Sequence, residues 1–554
     1  MPATLRAHFP EVKKCDGRCA RPAAGYFLPA SECGVLTFYP PGNDSHRVAE
    51  CSLSRSKRSI RPQVWLSARR PVFLAGMNDP LRSGYDAIPY RHGALRQSHP
   101  ARMGAIGRLY GLPTAAPDRA RVLELGCAEG GNLLPLAERL PRATFTGVDF
   151  SEVQIATAEA ARAACGLANA RMVCADLREW HPEAAACDYV IAHGVYSWVP
   201  DEVKECLLAA CGRALAPGGM LYLSFNTLPG WGMLAGVREF LLAELAQFPG
   251  TAEKLAHLPR VLAALEQSLA GEETPHGVHM RELLGRMRAK SPEMILHDEL
   301  ELVNDPRPFS VVVAHAARHG LAYVGESHYA SQHFEHLRPE MQAPLIGLGL
   351  DVLRVQQFMD VVLPRTHRTS LFCRASEAPP PRVDPSAVHA CALALREPQT
   401  GPRADLAAGA VFTLRGLHGM ELPFTQSRLK ALLTVLIEAA PVQVPFLEAR
   451  AAADARLAAA GLAIDVDDEA LSLAVFRLFS LDFLDLLLAG DGAWLRPAEP
   501  PEPTALMRYQ TEHGLPLTNR RHEQIALSAA QMHRLLAAPP ERRDPALREA
   551  GLVG

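Results

Sequence analysis

From Arg121 onward, short apolar runs alternate with stretches of helical spacing. RVLELGC (121–127) is a continuous apolar run ending at a glycine, the pattern of a strand buried on both faces. NLLPLAERL (132–140) predicts a helix and TFTGVDF (144–150) a second strand. SEVQIATAEAARAAC (151–165) predicts a helix with Ser151 as its N-cap. RMVCAD (171–176) and DYVIAHG (188–194) predict the third and fourth strands. DEVKECLLAACGRALAPGG (201–219) predicts a helix closed by Pro217 and two glycines, and MLYLSFNT (220–227) the fifth strand. Strands alternating with helices predict an α/β fold whose parallel sheet is covered on both faces. Right-handed crossovers then bring the strand C-termini to one edge, where such sheets bind ligands.

The remainder divides by composition. Residues 77–231 are expected to hold the α/β core, and 232–377 a helical region in which GLAYVGES (320–327) returns as a strand to the sheet. APPPRVDP (378–385) reads as a linker. Residues 386–500 predict an α-rich domain, with AVFTLRG (410–416) and AWLRP (493–497) as strand-like pieces, and 501–554 a tail. Residues 1–76 show little periodicity and carry seven net positive charges, so they are read as a disordered tail or an extension preceding a natural start at Met77.

A length of 554 residues fits three or four domains, and the net charge of −3 gives no sign of a nucleic-acid partner. No apolar run approaches the length of a membrane-spanning helix, and the first residues lack a signal-peptide core. The twelve cysteines show neither paired zinc spacing nor a disulfide framework, which predicts reduced thiols and a cytoplasmic location.

The candidate chemistry sits at the first strand-to-helix turn, Glu124-Leu-Gly126-Cys127-Ala-Glu129-Gly130-Gly131. Its glycines allow a ligand to approach the backbone, and the helix beyond offers free N–H groups. A dinucleotide fingerprint would read G-x-G-x-x-G, whereas this turn reads G-x-x-x-G-G with an acid two residues ahead. A carboxylate there would repel a pyrophosphate and suits S-adenosylmethionine (SAM), which brings a cationic amine and a sulfonium. Asp149 ends the second strand, where an acid accepts hydrogen bonds from ribose hydroxyls. Asp176 ends the third, within reach of an adenine amino group, and His193 ends the fourth, where the methyl donor is expected. Cofactor contacts are therefore expected at Glu124, Gly126, Cys127, Gly130, Asn132, Asp149, Phe150, Asp176, Leu177 and His193. An Asp149→Ala change is expected to weaken SAM binding while leaving the fold intact.

Methyl transfer is an in-line displacement at an already electrophilic carbon, so the protein must align the partners and exclude water. It requires no metal. A lysine acceptor must first lose a proton, which desolvation and the sulfonium charge both promote. Aromatic walls can hold the amine. Tyr196, Trp198 and Asn226 follow the fourth and fifth strands and are the catalytic candidates. Tyr85, Tyr90, His99 and Trp231 are candidates for a substrate wall or lid.

These residues resemble a known family. YDAIPY (85–90), SHPARMGAIGRLYGL (98–112), RVLELGCAEGGNLLPLA (121–137), AHGVYSWVPDEV (192–203), SFNTLPGW (224–231), HDELELVNDP (297–306) and AARHGLAYVGES (316–327) are similar to the bacterial methyltransferases that carry a methyltransferase regulatory domain. The rickettsial protein-lysine methyltransferases are among them. The resemblance implies a Rossmann-like class I core, a helical insertion serving in dimerisation, and a winged-helix-like C-terminal domain. It implies SAM as cofactor, protein lysines as acceptors and a homodimer. Ala128 departs from the family, many of whose members carry glycine there.

Two other constellations are set aside. The expected second helix of the C-terminal domain, about 467–486, carries Asp467, Asp468, Glu469, Asp482 and Asp485 against Arg477, a charge balance that repels DNA. His315 and His319 stand at helical spacing, but no neighbouring acid in the sequence completes a metal-ligand set.

Overall fold

The computed structural model describes residues 93–380, 382–399, 404–495, 503–525 and 527–537. Its first half runs through α1 (Pro100–Leu109), β1 (Arg121–Leu125), α2 (Leu133–Arg139), β2 (Thr144–Asp149), α3 (Glu152–Ala164), β3 (Ala170–Cys174), β4 (Cys187–Ala192), α4 (Asp201–Ala214) and β5 (Leu215–Asn226). A helical stretch follows: α5 (Ala235–Leu245), α6 (Thr251–Ser268), α7 (Pro275–Arg288) and α8 (Pro292–Asp298). Then come α9 (Phe309–Arg318), β6 (Leu321–Glu326), α10 (Pro339–Gly347), α11 (Val352–Val362) and β7 (His367–Arg374).

Seven of these strands form one sheet in the order β3-β2-β1-β4-β5-β7-β6. Strands β1 to β5 are parallel, and β7 lies antiparallel to both β5 and β6. The order reverses at β1, whose neighbours β2 and β4 lead the chain in opposite directions. That reversal opens a crevice at the strand C-termini, the general ligand position of open α/β sheets. This is the Rossmann-like arrangement expected from the alternating pattern. Both faces are covered. One face packs Leu207, Leu208 and Cys211 of α4 with Phe309, Val312 and Ala316 of α9. The other packs Leu133, Leu136 and Ala137 of α2 with Met103, Ile106 and Leu109 of α1. Helix α1 reaches the sheet closely because of Gly104, where a Cβ would stand 2.5 Å from the Tyr189 hydroxyl.

Four elements differ from the sequence pattern. The helix expected to reach Gly219 stops at Ala214, and β5 begins at once, because Leu215 pairs with Cys187 of β4 across a register shift. Gly218 adopts φ +71° within that strand. Strand β7 does not stand out as an apolar run, since its sequence HRTSLFCR carries a basic residue near each end. AWLRP holds a 3-10 turn at Ala493–Leu495, with the Trp494 indole N–H donating to the Ala489 carbonyl at 2.8 Å. The helix expected over 467–486 ends at Ser480, because Asp482 takes φ +60° and LDLLL forms a fully buried strand.

That strand belongs to the C-terminal part: β8 (Cys391–Leu395), β9 (Phe412–Arg415), β10 (Glu421–Phe424), α12 (Ser427–Ala439), β11 (Val444–Pro445), α13 (Phe446–Ala459), α14 (Asp468–Ser480) and β12 (Leu484–Leu488). Three helices pack on an antiparallel sheet of order β11-β8-β12. Its middle strand comes from before the first helix, so the last two sheet positions are not joined by the hairpin that gives a winged helix its wing. The helix α15 (Ala505–Glu512), a short pair β13 (Leu517–Thr518) and β14 (Gln524–Ile525), and α16 (Ala529–Leu536) follow. Among the described residues no helix is long and apolar enough to cross a membrane.

Candidate active site

The turn after β1 is held by three backbone donors. The N–H groups of Gly126 and Cys127 donate to the Val148 carbonyl, at 2.8 and 3.2 Å, and the Ala128 N–H donates to Asp149 Oδ2 at 2.9 Å. Gly126 has φ +77°, and a Cβ there would lie 2.3 Å from Val195 Cγ2, so two independent constraints demand glycine. Gly130 has the same φ, with Leu134 closing in behind it.

Ala128 also sits in the left-handed region, at φ +47°. An alanine there costs roughly 1–2 kcal/mol, against about 0.5–1 kcal/mol for the added freedom of glycine in the unfolded chain. Ala128→Gly is therefore expected to raise stability by up to about 1 kcal/mol, read as a higher melting temperature in calorimetry. A lower one would mean that the Ala128 methyl packs in a way its backbone angle does not reveal.

Glu124 projects from β1 into a dry site, 1 % exposed. Its Oε1 accepts from Asn132 Nδ2 at 2.8 Å, while Oε2 is buried without a hydrogen-bond partner. Desolvation, opposed by the Asn132 hydrogen bond and aided by the nearby Asp149 charge, pushes its pKa up to about 8. An ionised Oε2 with nothing to accept from is costly, which keeps the carboxyl protonated near neutral pH unless a ligand supplies a donor. A cationic amine meets that need, so the residues fit SAM. Asn132 is fully used inside the protein. Its Oδ1 accepts from the Leu95 N–H at 2.9 Å and lies 2.8 Å from His522 Nε2, and its Nδ2 also reaches Ser98 Oγ at 3.1 Å. It orients Glu124 and anchors the segments at 95–98 and 519–523.

Asp149 carries more than a ribose contact would require. Besides the Ala128 N–H, its Oδ1 accepts from the Ser151 N–H at 3.0 Å, and Ser151 caps α3 through Gln154 N–H at 3.2 Å. Asp149→Ala is thus expected to weaken SAM by about 1.5–3 kcal/mol and also to destabilise the cofactor-free protein by roughly 1–3 kcal/mol. These two backbone bonds add a cost in stability to the expected loss of SAM affinity, with the fold retained. Calorimetry with and without SAM separates the two effects. Equal melting temperatures for the two cofactor-free proteins would contradict this account.

The other expected contacts spread along the same edge. Cys127 is fully buried, its thiol against the space Gly147 leaves, and burial pushes its pKa well up, so it fills a gap and is no nucleophile. Phe150 follows Asp149 and is half-buried. Asp176 is paired with Arg178 at 2.5 Å and accepts from the Arg178 N–H, which closes the turn after β3, and Leu177 beside it packs on the α4–α9 core. His193, at the end of β4, places Nδ1 3.2 Å from the Tyr222 hydroxyl. Gly194 donates to Ser224 Oγ at 2.8 Å and faces open space.

Of the catalytic candidates, two meet and one departs. Trp198 and Trp231 lie edge to face with ring centroids 6.2 Å apart. Next to them the Asn226 N–H donates to Ser197 Oγ at 2.9 Å, and Asn226 Nδ2 donates to Asn304 Oδ1 at 3.1 Å. Asn304 Nδ2 is buried without a partner. Sequence reasoning missed Asn304, which lies 78 positions from Asn226. Tyr196 turns inward, 2 % exposed, with its hydroxyl 2.8 Å from His315 Nδ1. His99 is equally internal. It caps α1 by accepting from the Ala101 N–H at 3.0 Å, and its ring stacks on Trp494 with centroids 5.5 Å apart. Burial, with Arg139 and Arg102 nearby, brings its pKa down to about 3, so it is a neutral cap and not a lid. Tyr85 and Tyr90 lie outside the described residues.

Comparison with known proteins points to the same class of cofactor. A methyltransferase domain matches residues 122–219, and a predicted methyltransferase regulatory domain matches residues 291–374. Two uncharacterised proteins of Rickettsia prowazekii (strain Madrid E) are each 31 % identical. One aligns over 289 residues, 52 % of this chain and 52 % of that protein, so this chain spans about half its length. The other aligns over 220 residues, 40 % of this chain and 88 % of that protein. PKMT2 from Rickettsia typhi, solved alone and in complex with AdoHcy, matches with a TM-score of 0.69 at 23 % identity, over 81 % of this chain and 88 % of that one, a likeness of fold. With the regulatory-domain match joined to the glycine turn and its buried acid, this chain belongs to the class I SAM-dependent methyltransferases that carry a methyltransferase regulatory domain.

Proposed function

We propose that this chain transfers the methyl group of SAM to lysine side chains of a protein. The observation that carries the reading is the perpendicular Trp198–Trp231 pair beside the Asn226–Asn304 amides, where β5 ends on the same edge of the sheet as the glycine turn, two strands away. Aromatic faces stabilise an ammonium and its methylated products by cation–π attraction, and the unspent Asn304 Nδ2 donor can orient a peptide carbonyl. The name of the R. typhi relative, a protein-lysine methyltransferase, supports the same acceptor. In this reading Glu124 holds the cofactor's amine, Asp149 its ribose and the His193–Gly194 edge leaves room for the donor carbon. SAM supplies the electrophilic methyl. The protein aligns the lysine nitrogen and strips it of water, and the amine proton leaves to solvent.

Transfer of labelled methyl from SAM to a bacterial lysate tests this, with hydrolysis to methyl-lysines identifying the acceptor atom. Protease-sensitive label that is lost in Trp198→Ala, with SAM affinity unchanged, is the expected result. Label confined to small molecules would overturn the lysine reading in favour of a small-molecule methyltransferase. SAM binding without any transfer would favour a regulator. The dimer implied by the resemblance is part of this proposal, and its check is the mass in solution.

A further inference from the structure

The structure supplies the acid that the sequence lacked beside His315 and His319. Glu205 projects from α4 toward α9, and both histidines face it from successive turns. Its Oε2 lies 2.8 Å from His319 Nε2 and its Oε1 3.1 Å from His315 Nε2. The three ligand atoms all lie within 4.8 Å of one another. On a tetrahedral zinc ion with bonds of about 2.0–2.2 Å, neighbouring ligand atoms stand roughly 3.3–3.6 Å apart, so small side-chain adjustments suffice.

Two further observations point to an ion and not merely to an ion pair. His315 is 8 % exposed, and its Nε2 is buried without a hydrogen-bond partner although the carboxylate is near. That nitrogen stands 3.1 Å from Glu205 Oε1 without the alignment of a hydrogen bond, so its bonding capacity is left open within the cluster. The other ring nitrogen, Nδ1, is taken by the Tyr196 hydroxyl at 2.8 Å. A partner on one imidazole nitrogen is how proteins orient a metal-binding histidine for coordination through the other. Arg318 lies 3.0 Å from Glu205 Oε1 but is well exposed and can swing aside, an ion pair of small value.

We propose that Glu205, His315 and His319 form a binding site for a zinc-type divalent ion, with water completing its coordination. Two imidazoles and one carboxylate suit zinc, cobalt(II) or nickel(II) over magnesium or calcium. Glu205 lies in the matched methyltransferase domain and both histidines in the regulatory domain. The ion would pin α9 to α4 and thus one domain to the other. Tyr196, offered by the sequence as a catalytic residue, becomes the positioning residue of this site.

The test uses the full chain stripped with a chelator, titrated with Zn2+ by calorimetry and with Co2+ by visible absorption. The wild type is expected to bind one ion at this site, show the visible bands of tetrahedral Co2+, and melt at higher temperature with Zn2+. Glu205→Gln and His319→Gln are each expected to weaken Zn2+ by at least about 100-fold, and Tyr196→Phe by about tenfold, as for loss of an outer partner. Unchanged SAM affinity in the variants shows that they fold. Absence of Co2+ bands and of any Zn2+-dependent melting shift in the wild type would overturn the proposal. So would binding of equal strength in the Glu205 and His319 variants, which would place the ion on other cysteines or histidines.

Discussion

Arg368→Met is expected to cost the protein about 3–5 kcal/mol of stability, the loss typical of a buried ion pair stripped of one partner. The guanidinium is 1 % exposed and sits between two buried carboxylates. Its Nη1 donates to Glu326 Oε1 at 2.6 Å, and its Nε and Nη2 donate to Asp360 at 2.7–3.0 Å. Nη2 also reaches the Gln356 carbonyl at 2.8 Å, and the guanidinium lies 4.2 Å over the Phe309 ring. One side chain thus joins β7, β6, α11 and α9. Methionine matches its apolar length but leaves Glu326 and Asp360 facing each other, with Arg365 at 3.4 Å as the remaining cation for Asp360. A whole domain is commonly stable by only about 5–15 kcal/mol, so the effect is large. Urea unfolding measures it. A loss below about 1 kcal/mol would show that water reaches the carboxylates. Adding Glu326→Gln and Asp360→Asn to Arg368→Met is expected to recover much of the loss, because the cost lies in the unpaired charges.

The same residue shows why β7 is hidden from a sequence reading. A central strand that carries an arginine does not look apolar, and the carboxylates that neutralise it come from other elements, 8 and 42 positions away. The strands β1 and β4 are legible because their burial is written in largely contiguous apolar residues. The geometry of the glycine turn is legible for a similar reason. Glu124, Gly126 and Asp149 bond to groups within the contiguous β1–α2–β2 segment, so the sequence spacing places them together. What fails are readings that depend on distant partners. Tyr196 follows β4 and so reads as a site residue, but His315, 119 positions on, draws its hydroxyl inward. His522 is invisible as a neighbour of Asn132, 390 positions earlier. The His315–His319 pair lacks an acid in the sequence for the same cause, since Glu205 lies 110 positions from the nearer histidine. Local periodicity reports which face of an element is buried, and it is silent on what lies across the interface.

Glu124→Gln is expected to separate stability from cofactor binding. In the cofactor-free protein the Glu124 pKa is raised to about 8, whereas in the unfolded chain the carboxyl titrates near 4.5. Its protonated form therefore contributes fully below about pH 4.5, and that contribution is lost as the pH rises toward 8, where the unfolded carboxyl has ionised and the folded one has not. Each pH unit crossed in that window is worth about 1.4 kcal/mol, so the wild type loses on the order of 3–5 kcal/mol between its ends. Glutamine cannot ionise. The variant, similar to the wild type at pH 5, is expected to become progressively more stable by comparison up to pH 8, and no further above it. Binding moves the other way. The cofactor's amine needs the ionised carboxylate, so wild-type SAM binding near pH 7 should release a proton, visible as a calorimetric enthalpy that depends on the buffer's ionisation heat. Affinity should rise from pH 6 toward 8, where the amine begins to lose its own proton. In Glu124→Gln the proton release should vanish and affinity should fall by about 1.5–3 kcal/mol, the value of a hydrogen bond to a charged group. A variant equally stable at every pH and equally tight for SAM would mean that Glu124 is solvated and faces no ligand. Gain of stability with loss of binding would show that the buried acid is held against the fold's own preference, with its Oε2 reserved for the cofactor.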